Sequence, residues 1–240
     1  MIVTFTDFGC HGPYLGQMVA VLRRQAPSVE VIDLLNDAPA TDPKHSAYLL
    51  AALARWWPEG TVFLCVVDPG VGSGRRPVAL KTGGKWFVGP DNGLFNPVAL
   101  QNGNPEWFEI VWRPDDLSAS FHGRDLFAPV AAAIAVGNQQ RMVSPCEGPD
   151  LAAWERDLAE IIYIDHYGNA VTGLRYRDAW RERVLWAGGR RISPAHTFSD
   201  VKRGEPLWYC NSMGLVEVAV NRGSAAKSLG LAIAQAVRWA

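Results

Sequence analysis

The chain has 240 residues, of which 48% are hydrophobic, enough apolar material for a large core in one domain or two. Its formal net charge of −1 gives no attraction to nucleic acid or anionic membranes. No apolar run approaches about 18 residues, so no membrane span is predicted. The four cysteines, Cys10, Cys65, Cys146 and Cys210, form no CxxC motif, which favours reduced thiols in a cytoplasmic protein.

The N-terminal part of the chain alternates between strand and helix patterns. Apolar runs predict strands at residues 1–5, 29–35, 61–67, 78–80 and 86–88. Helical spacing predicts helices at 13–25, from Asp42 to residue 57, and at 125–137. Asp42 is expected to cap the second of these helices, with Pro43 at its first position. Such alternation implies an α/β domain whose mostly parallel sheet has helices on both faces.

The pattern changes after a segment that contains Pro145, Gly148 and Pro149. Beyond it, short strand-like runs are separated by Gly-Asn, Gly-Gly and Ser-Met-Gly, which is typical of a small all-β barrel or sandwich. We predict an α/β domain over residues 1–145, a linker over 146–157 and a β-barrel domain over 158–240. A single large α+β domain is the alternative.

Two acids follow predicted strands of the N-terminal part, at the sheet edge where ligands of α/β proteins collect. Asp7 follows the first strand, and Asp68 follows the apolar run that ends at Val67. A strand-end carboxylate is suited to accept hydrogen bonds from a ribose diol. Each acid alone is also compatible with a turn or helix cap.

A glycine-rich loop follows Asp68 and leads to Arg75 and Arg76, without the Gly-Lys-Ser/Thr ending of a phosphate loop. Further along, the segment SFHGRDLFAP (120–129) places His122 beside a predicted helix, where Asp125 could be the N-cap. Arg76 is interpreted as structural. The turn DNG (91–93) adds polar groups, with plain turn chemistry as the alternative.

The predicted β domain has two dense polar segments, IDHYGN (164–169) and YCNSMG (209–214). None of the histidines outside residues 120–129 has a partner at metal-ligand spacing, so no metal site is predicted. The chain contains no GxSxG motif, and no GxGxxG motif opens a helix, which disfavours a serine hydrolase and a nicotinamide-dependent oxidoreductase.

Six segments occur in order along the chain: TDFG (6–9), VVDPGVG…RRP (66–77), VGPDNGLF (88–95), SFHGRDLFAP (120–129), IDHYGN (164–169) and NSMGLVEVAVNRG (211–223). Together they resemble the S-adenosyl-L-methionine hydrolases, which are hydroxide adenosyltransferases related to the fluorinases and chlorinases. The resemblance covers nearly the whole chain. It implies a homotrimer that binds its small-molecule substrate between the N-domain of one subunit and the C-domain of the next, with no cofactor.

The resemblance also implies roles for individual residues. Asp68, Arg75 and His122 would position water or hydroxide for attack on the ribose C5′ carbon, while Asp7 holds the ribose hydroxyls. Substrate binding by the C-terminal part would use Asp165 and Ser212 for the methionine group, Asn169 and Phe198 for adenine, and Glu217 and Val220 at the adenine end. One position departs from the family pattern, since Gly12 stands where members usually carry an acid, which leaves Asp165 to bind the amino group.

The expected reaction is hydrolysis of S-adenosyl-L-methionine to adenosine and L-methionine. The leaving group is a neutral thioether, so the displacement needs an aligned nucleophile more than a strong acid. An anionic Asp68 would repel a halide, which favours water over chloride or fluoride. A halogenase-like enzyme, or an adenosine-binding protein with little turnover, remains the alternative.

Overall fold

The computed structural model describes all 240 residues and divides into two compact units, Met1–Trp154 and Glu155–Ala240. The N-terminal unit has seven strands: β1 (Ile2–Thr6), β2 (Val31–Leu35), β3 (Val62–Val66), β4 (Pro77–Thr82), β5 (Lys85–Pro90), β6 (Glu106–Ile110) and β7 (Val143–Pro145). Its helices are α1 (Tyr14–Gln25), α2 (Pro43–Ala54), α3 (Asn96–Asn102) and α4 (Ala128–Ala135), with a π-helical turn at Gly123–Phe127 directly before α4. The prediction of an α/β N-terminal part is confirmed.

The seven strands form one mixed sheet in the order β2-β1-β3-β5-β4-β6-β7. β1 pairs in parallel with β2 and β3, and β3 pairs in parallel with β5. The remaining pairs, β5 with β4, β4 with β6 and β6 with β7, are antiparallel. The prediction of a mostly parallel sheet is therefore wrong. Gly83 and Gly84, with φ of 55° and 71°, form a tight turn that joins β4 and β5 as a hairpin.

The centre of this sheet is as apolar as the sequence indicates. Every residue of β1 and β3 is buried, which is the pattern of strands covered on both faces. Helix α2 begins as predicted, because the Asp42 carboxylate accepts a hydrogen bond from the His45 amide at 3.1 Å. It ends at Ala54, before the predicted residue 57. Helix α3 and strands β6 and β7 had no clear periodicity in the sequence.

The C-terminal unit is β-rich, as predicted. Its strands are β8 (Leu158–Ile164), β9 (Ala170–Arg175), β10 (Leu185–Ala187), β11 (Arg190–Ile192), β12 (Pro206–Cys210), β13 (Leu215–Val220) and β14 (Arg238–Trp239), and a short helix α5 spans Ala225–Leu229. They form a four-stranded sheet, β12-β13-β9-β8, and a three-stranded sheet, β11-β10-β14. All these pairs are antiparallel. Throughout the chain, no helix is both long and apolar enough to cross a membrane.

Candidate active site

The two strand-end acids of the N-terminal unit lie at the same edge of the sheet. β1 and β3 are parallel neighbours, with Thr6 opposite Val66, so Asp7 and Asp68 emerge side by side. A cavity of about 100 Å³ opens here. Its walls come from four parts of the chain and consist of Asp7, Phe8, Thr41, Val66, Asp68, Pro69, Val71, Ser120, Phe121, His122 and Gly123. The cavity therefore contains three of the four residues predicted for this unit.

The fourth residue, Arg75, binds Asp68 through two parallel hydrogen bonds. Its Nε donates to Asp68 Oδ1 at 2.8 Å, and its Nη2 donates to Oδ2. The two side chains are only 10% and 4% exposed, and the guanidinium lies 5.2 Å from the ring centroid of Phe127. A two-point, nearly dry contact of this kind fixes both side chains in one geometry.

The loop between these residues folds back through consecutive turns. The Val71 amide donates to the Asp68 carbonyl at 3.2 Å, and the Ser73 amide donates to the Gly70 carbonyl at 3.0 Å. Gly72 has φ of 81°, and a Cβ there would lie 2.7 Å from the carbonyl oxygen of Ala119. The positive φ and the close backbone contact both require glycine at this position. The loop therefore packs its backbone directly against the segment that leads to His122.

His122 completes this cluster. Nη2 of Arg75 lies 3.1 Å from His122 Nδ1, so Arg75 contacts both other members of the predicted triad. Partial burial, with the positive charge of Arg75 as the next cause, lowers the pKa of His122 below its usual value. The imidazole is therefore neutral at neutral pH.

The alternative of Asp125 as helix N-cap is wrong. Asp125 lies inside the π-helical turn, where its carboxylate pairs with Arg124 at 2.6 Å and accepts from the Ser118 amide at 3.1 Å. It thereby ties the turn to the preceding loop. The turn begins directly after His122 and so places this histidine at the start of the helical segment.

Asp7 is held by a backbone amide on the other side of the cavity. The Thr41 amide donates to Asp7 Oδ2 at 2.8 Å, and Thr41 adopts φ of 57°, which is rare for a β-branched residue. Burial raises the pKa of Asp7, while the Thr41 hydrogen bond opposes this rise. The rings of Phe8, Tyr14 and Phe121 pack together beside it, with centroids 5.4–5.8 Å apart.

The neighbouring Arg76 and the DNG turn support the site from outside the cavity. Arg76 pairs with Asp91 at 2.7 Å, in agreement with its interpretation as structural. Asn92 Nδ2 donates to the carbonyl of Val67 at 2.9 Å. This bond anchors the residue that directly precedes Asp68, a role that the turn signal in the sequence did not reveal.

In the C-terminal unit, three predicted residues share a cavity of about 470 Å³, whose walls are Tyr167, Asn169, Phe198, Val220, Arg222 and Gly223. Asp165 orients Asn169, because its carboxylate accepts from the Asn169 amide at 2.8 Å and from Asn169 Nδ2 at 2.9 Å. The asparagine amide is thus held in one orientation at an otherwise largely apolar cavity.

Like Asp165, the two remaining predicted residues of this unit lie outside that set of walls. Glu217 is buried, and its two carboxylate oxygens accept from the Tyr209 hydroxyl at 2.5 Å and from Asn211 Nδ2 at 2.7 Å. Ser212 is exposed in the turn between β12 and β13. Tyr209 was not among the predicted site residues, since its contact with Glu217 depends on strand pairing and not on a local motif.

Two further observations concern the rest of the chain. A larger cavity of about 580 Å³ in the C-terminal unit, bordered by residues that include Asp178, Arg181 and His196, contains none of the predicted residues. Nowhere do three or more His, Cys, Asp or Glu side chains converge in a way that could hold a metal ion.

Comparison with known proteins identifies the family. The profile described as the SAM hydroxide adenosyltransferase N-terminal domain matches residues 2–144, and that of the C-terminal domain matches residues 159–238. The chain belongs to the SAM hydroxide adenosyltransferase family. The resemblance inferred from the six sequence segments is thereby confirmed.

Several relatives in this family have names that specify an activity. A protein of Thermus thermophilus named (R)-S-adenosyl-L-methionine hydrolase is 40% identical, over 97% of this chain and 96% of its own. A hydrolase of the same name from Salinispora tropica is 38% identical over 94% and 92% of the two chains. A fluorinase of Nocardia brasiliensis is more distant, at 24% identity over 94% and 92%.

A solved structure also matches along its whole length. The crystal structure of an uncharacterized conserved protein from Thermotoga maritima is 31% identical and superimposes with a TM-score of 0.90, covering 100% of this chain and 99% of that one. The chain therefore shares its fold with this protein along its whole length.

Proposed function

We propose that this protein hydrolyses S-adenosyl-L-methionine to adenosine and L-methionine through attack of water or hydroxide on the ribose C5′ carbon. The observation that carries the proposal is the Asp68–Arg75–His122 cluster, held at the edge of a small cavity by contacts of 2.8 and 3.1 Å. The names of the relatives at 38–40% identity specify the same substrate and reaction class.

The contacts support a separate proposed role for each of these side chains. Asp68 is bound through both oxygens by Arg75, so its role is to fix the geometry of the cluster. Arg75 and His122 orient the oxygen nucleophile in line with the C5′–sulfur bond. As the C–O bond forms, the electron pair of the C–S bond goes to sulfur, methionine leaves as a neutral thioether, and one proton is released to solvent. Alignment of this type can contribute roughly 7–11 kcal/mol.

Product analysis tests the reaction. The purified protein is incubated with S-adenosyl-L-methionine in water enriched in ¹⁸O, with and without excess chloride. The products are then separated and analysed by mass spectrometry. We expect methionine and adenosine that carries the label in its 5′-hydroxyl, because the attacking oxygen comes from water. Excess chloride should not change these products, because Asp68 excludes halides. Formation of 5′-chloroadenosine without adenosine would show a halogenase instead.

Sustained turnover separates an enzyme from a nucleoside-binding protein. The assay is repeated with adenosine deaminase, which removes the product and so relieves any product inhibition. We expect many moles of methionine per mole of protein. A single stoichiometric burst, with adenosine retained by the protein, would favour the binding role.

Substrate binding is proposed to use Asp7 for the ribose hydroxyls, Asn169, Phe198, Val220 and Glu217 for the adenine end, and Asp165 and Ser212 for the methionine group. Phe198 offers a flat ring for stacking, and Asn169 offers an oriented amide, both at a cavity of about 470 Å³. No cofactor is required for this displacement. The proposed binding set thus combines residues from both units.

We further propose a homotrimer in which the catalytic cluster of one subunit works with the binding cavity of another. Two impaired variants, Asp68→Asn and Asn169→Ala, test this when they are unfolded, mixed and refolded together and assayed at a substrate concentration below the KM of the second variant. Mixed oligomers should regain activity, because some sites then combine two intact halves. Activity no greater than the sum of the separate variants would contradict a shared site.

The C-terminal unit is proposed to close as a barrel, and residues 146–157 to act as the linker. Isolated bridges support closure at both junctions of the two sheets: Glu160 pairs with Ala236 beside β8 and β14, and Pro194 pairs with Trp208 beside β11 and β12. A barrel leaves few free strand edges, so slow amide exchange at β8 and β12 would support it.

A further inference from the structure

The C-terminal cavity has an aromatic support behind one of its walls. Phe198 begins a short 3₁₀ turn, Phe198–Asp200, in which Thr197 and Asp200 form a reciprocal capping box. Its ring meets the ring of Tyr209 edge-on, with centroids 5.2 Å apart and an interplanar angle of 61°. Because an aromatic pair of this geometry is attractive, the position of Tyr209 constrains the ring that faces the cavity.

Tyr209 is itself held by a carboxylate on the neighbouring strand. Tyr209 and Glu217 are directly opposite each other in the β12–β13 ladder, and the hydroxyl donates to Glu217 Oε1 at 2.5 Å. Burial, followed by the hydrogen bond to Glu217, raises the pKa of Tyr209. The phenol therefore stays protonated as a donor, and its hydrogen bond sets the tilt of the ring.

The second oxygen of Glu217 leads to the turn that carries Ser212. It accepts from Asn211 Nδ2 at 2.7 Å. The amide oxygen of Asn211 accepts from the backbone amides of Met213 and Leu215, both at 3.0 Å. Since this oxygen is committed to the turn, the nitrogen of Asn211 has to face Glu217. One buried carboxylate thus connects the support of Phe198 with the turn at Ser212.

We propose that Tyr209 is a positioning residue that holds Phe198 for adenine binding, and that Glu217 acts on substrate affinity through Tyr209. This inference rests on the proposed function, in which Phe198 stacks on adenine. It gives Glu217 an indirect role in place of direct adenine contact. The contact with adenine is equally strong in the substrate complex and in the transition state. Loss of the Tyr209 contact that holds Phe198 should therefore raise KM and leave kcat nearly unchanged.

The decisive variant is Tyr209→Phe, which removes only the hydroxyl. We expect KM for S-adenosyl-L-methionine in steady-state assays, and Kd for adenosine measured by calorimetry, to rise about 5- to 10-fold, the usual effect of one lost hydrogen bond. The matched control is Tyr176→Phe, since Tyr176 also packs its ring on an aromatic neighbour, Trp208, at 6.4 Å, but is not a wall of the adenine cavity. Its Kd should equal that of the wild type.

A double-mutant cycle of Tyr209→Phe and Glu217→Leu tests whether Glu217 acts on adenosine affinity through Tyr209. If Glu217 acts through Tyr209, Glu217→Leu should weaken adenosine binding much less in the Tyr209→Phe background than in the wild type. Glu217→Gln should largely restore binding, because the amide oxygen can accept from Asn211 while the amide nitrogen donates to the Tyr209 hydroxyl oxygen. Melting curves and circular dichroism confirm that each variant is folded.

Three results would overturn the inference: wild-type adenosine affinity in Tyr209→Phe, a fall in kcat with unchanged KM, or fully additive effects in the cycle. Failure of the proposed function has a different signature, because the wild-type protein would then produce no adenosine from S-adenosyl-L-methionine.

Discussion

Arg75 Nη2 lies 3.1 Å from Nδ1 of His122, and this contact determines which imidazole nitrogen carries the proton. Arginine has donors only and remains charged, so Nδ1 has to be the acceptor. The neutral ring then carries its hydrogen on Nε2. In this form His122 can donate to an oxygen nucleophile but has no free basic nitrogen, so in the proposed mechanism it orients the nucleophile and does not deprotonate it.

The pH dependence of activity follows from this arrangement. Protonation of His122 would place a second positive charge beside Arg75, and its pKa is lowered by partial burial and by that charge. We expect kcat/KM to stay constant as the pH falls through about 6.5, the ordinary histidine value, and to decline only below it. Nitrogen NMR of labelled histidine should show the hydrogen on Nε2 at pH 7.

The same lowered pKa makes stability depend on pH. Between the folded and unfolded pKa values the unfolded chain binds more protons, so the free energy of unfolding falls as the pH drops through about 6.5. His122→Gln should remove this contribution and flatten the curve between pH 5 and 7 measured by urea titration. An unchanged slope would contradict the lowered pKa.

Asp68→Asn should impair both stability and catalysis. Arg75, only 10% exposed, would keep its charge without a counterion, so we expect a loss of about 3 kcal/mol in the free energy of unfolding. Turnover should fall about 100-fold or more, because Arg75 and His122 lose their fixed geometry. The unpaired guanidinium should also make the residual activity sensitive to chloride, which steady-state assays at several salt concentrations would detect.

Arg76→Gln is the control for this variant. It breaks the adjacent arginine–aspartate pair with Asp91, whose arginine side chain is 41% exposed. We expect a stability loss of no more than about 1 kcal/mol and unchanged kcat. Equal effects of the two substitutions would argue against a special role for the Asp68 pair.

Gly72→Ala should disturb the loop between Asp68 and Arg75. The new Cβ would lie 2.7 Å from the Ala119 carbonyl oxygen, at φ of 81°, so the loop has to shift. We expect a stability loss of about 1–3 kcal/mol and a clear fall in kcat. Gly74→Ala is a matched control in the same loop, because its Cβ would meet no atom within 4 Å, and it should behave as the wild type.

Asp7→Asn tests the proposed ribose contact. The amide oxygen can still accept from Thr41, but the amide nitrogen cannot accept from a ribose hydroxyl. We expect Kd for adenosine to rise about 10-fold, and Kd for 2′,3′-dideoxyadenosine to change little, as measured by calorimetry. An equal loss of affinity for both nucleosides would mean that Asp7 does not recognise the diol.

Local patterns were enough to predict β1, β3 and the Asp42 cap, since continuous burial and capping leave clear signals in neighbouring residues. The antiparallel half of the N-terminal sheet is not evident from local patterns, because short apolar strands have the same composition in either direction and only the Gly83-Gly84 turn distinguishes a hairpin. The contacts of Asp68, Arg75 and His122 join residues 7 and 47 positions apart, and the six segments indicated them through family resemblance. The Tyr209–Glu217 pair depends on strand register, which no local motif encodes.

The two consecutive arginines, Arg75 and Arg76, have separate acidic partners, Asp68 and Asp91. The carbonyl of Arg76 also accepts from the Asp91 amide at 2.9 Å, which extends the β4–β5 pairing by one residue. A shift of this pairing by a single residue would therefore move both arginines away from their acidic partners. Asp68 would then lose its guanidinium, so a one-residue deletion within the hairpin can abolish activity without removing any of the three residues of the proposed triad.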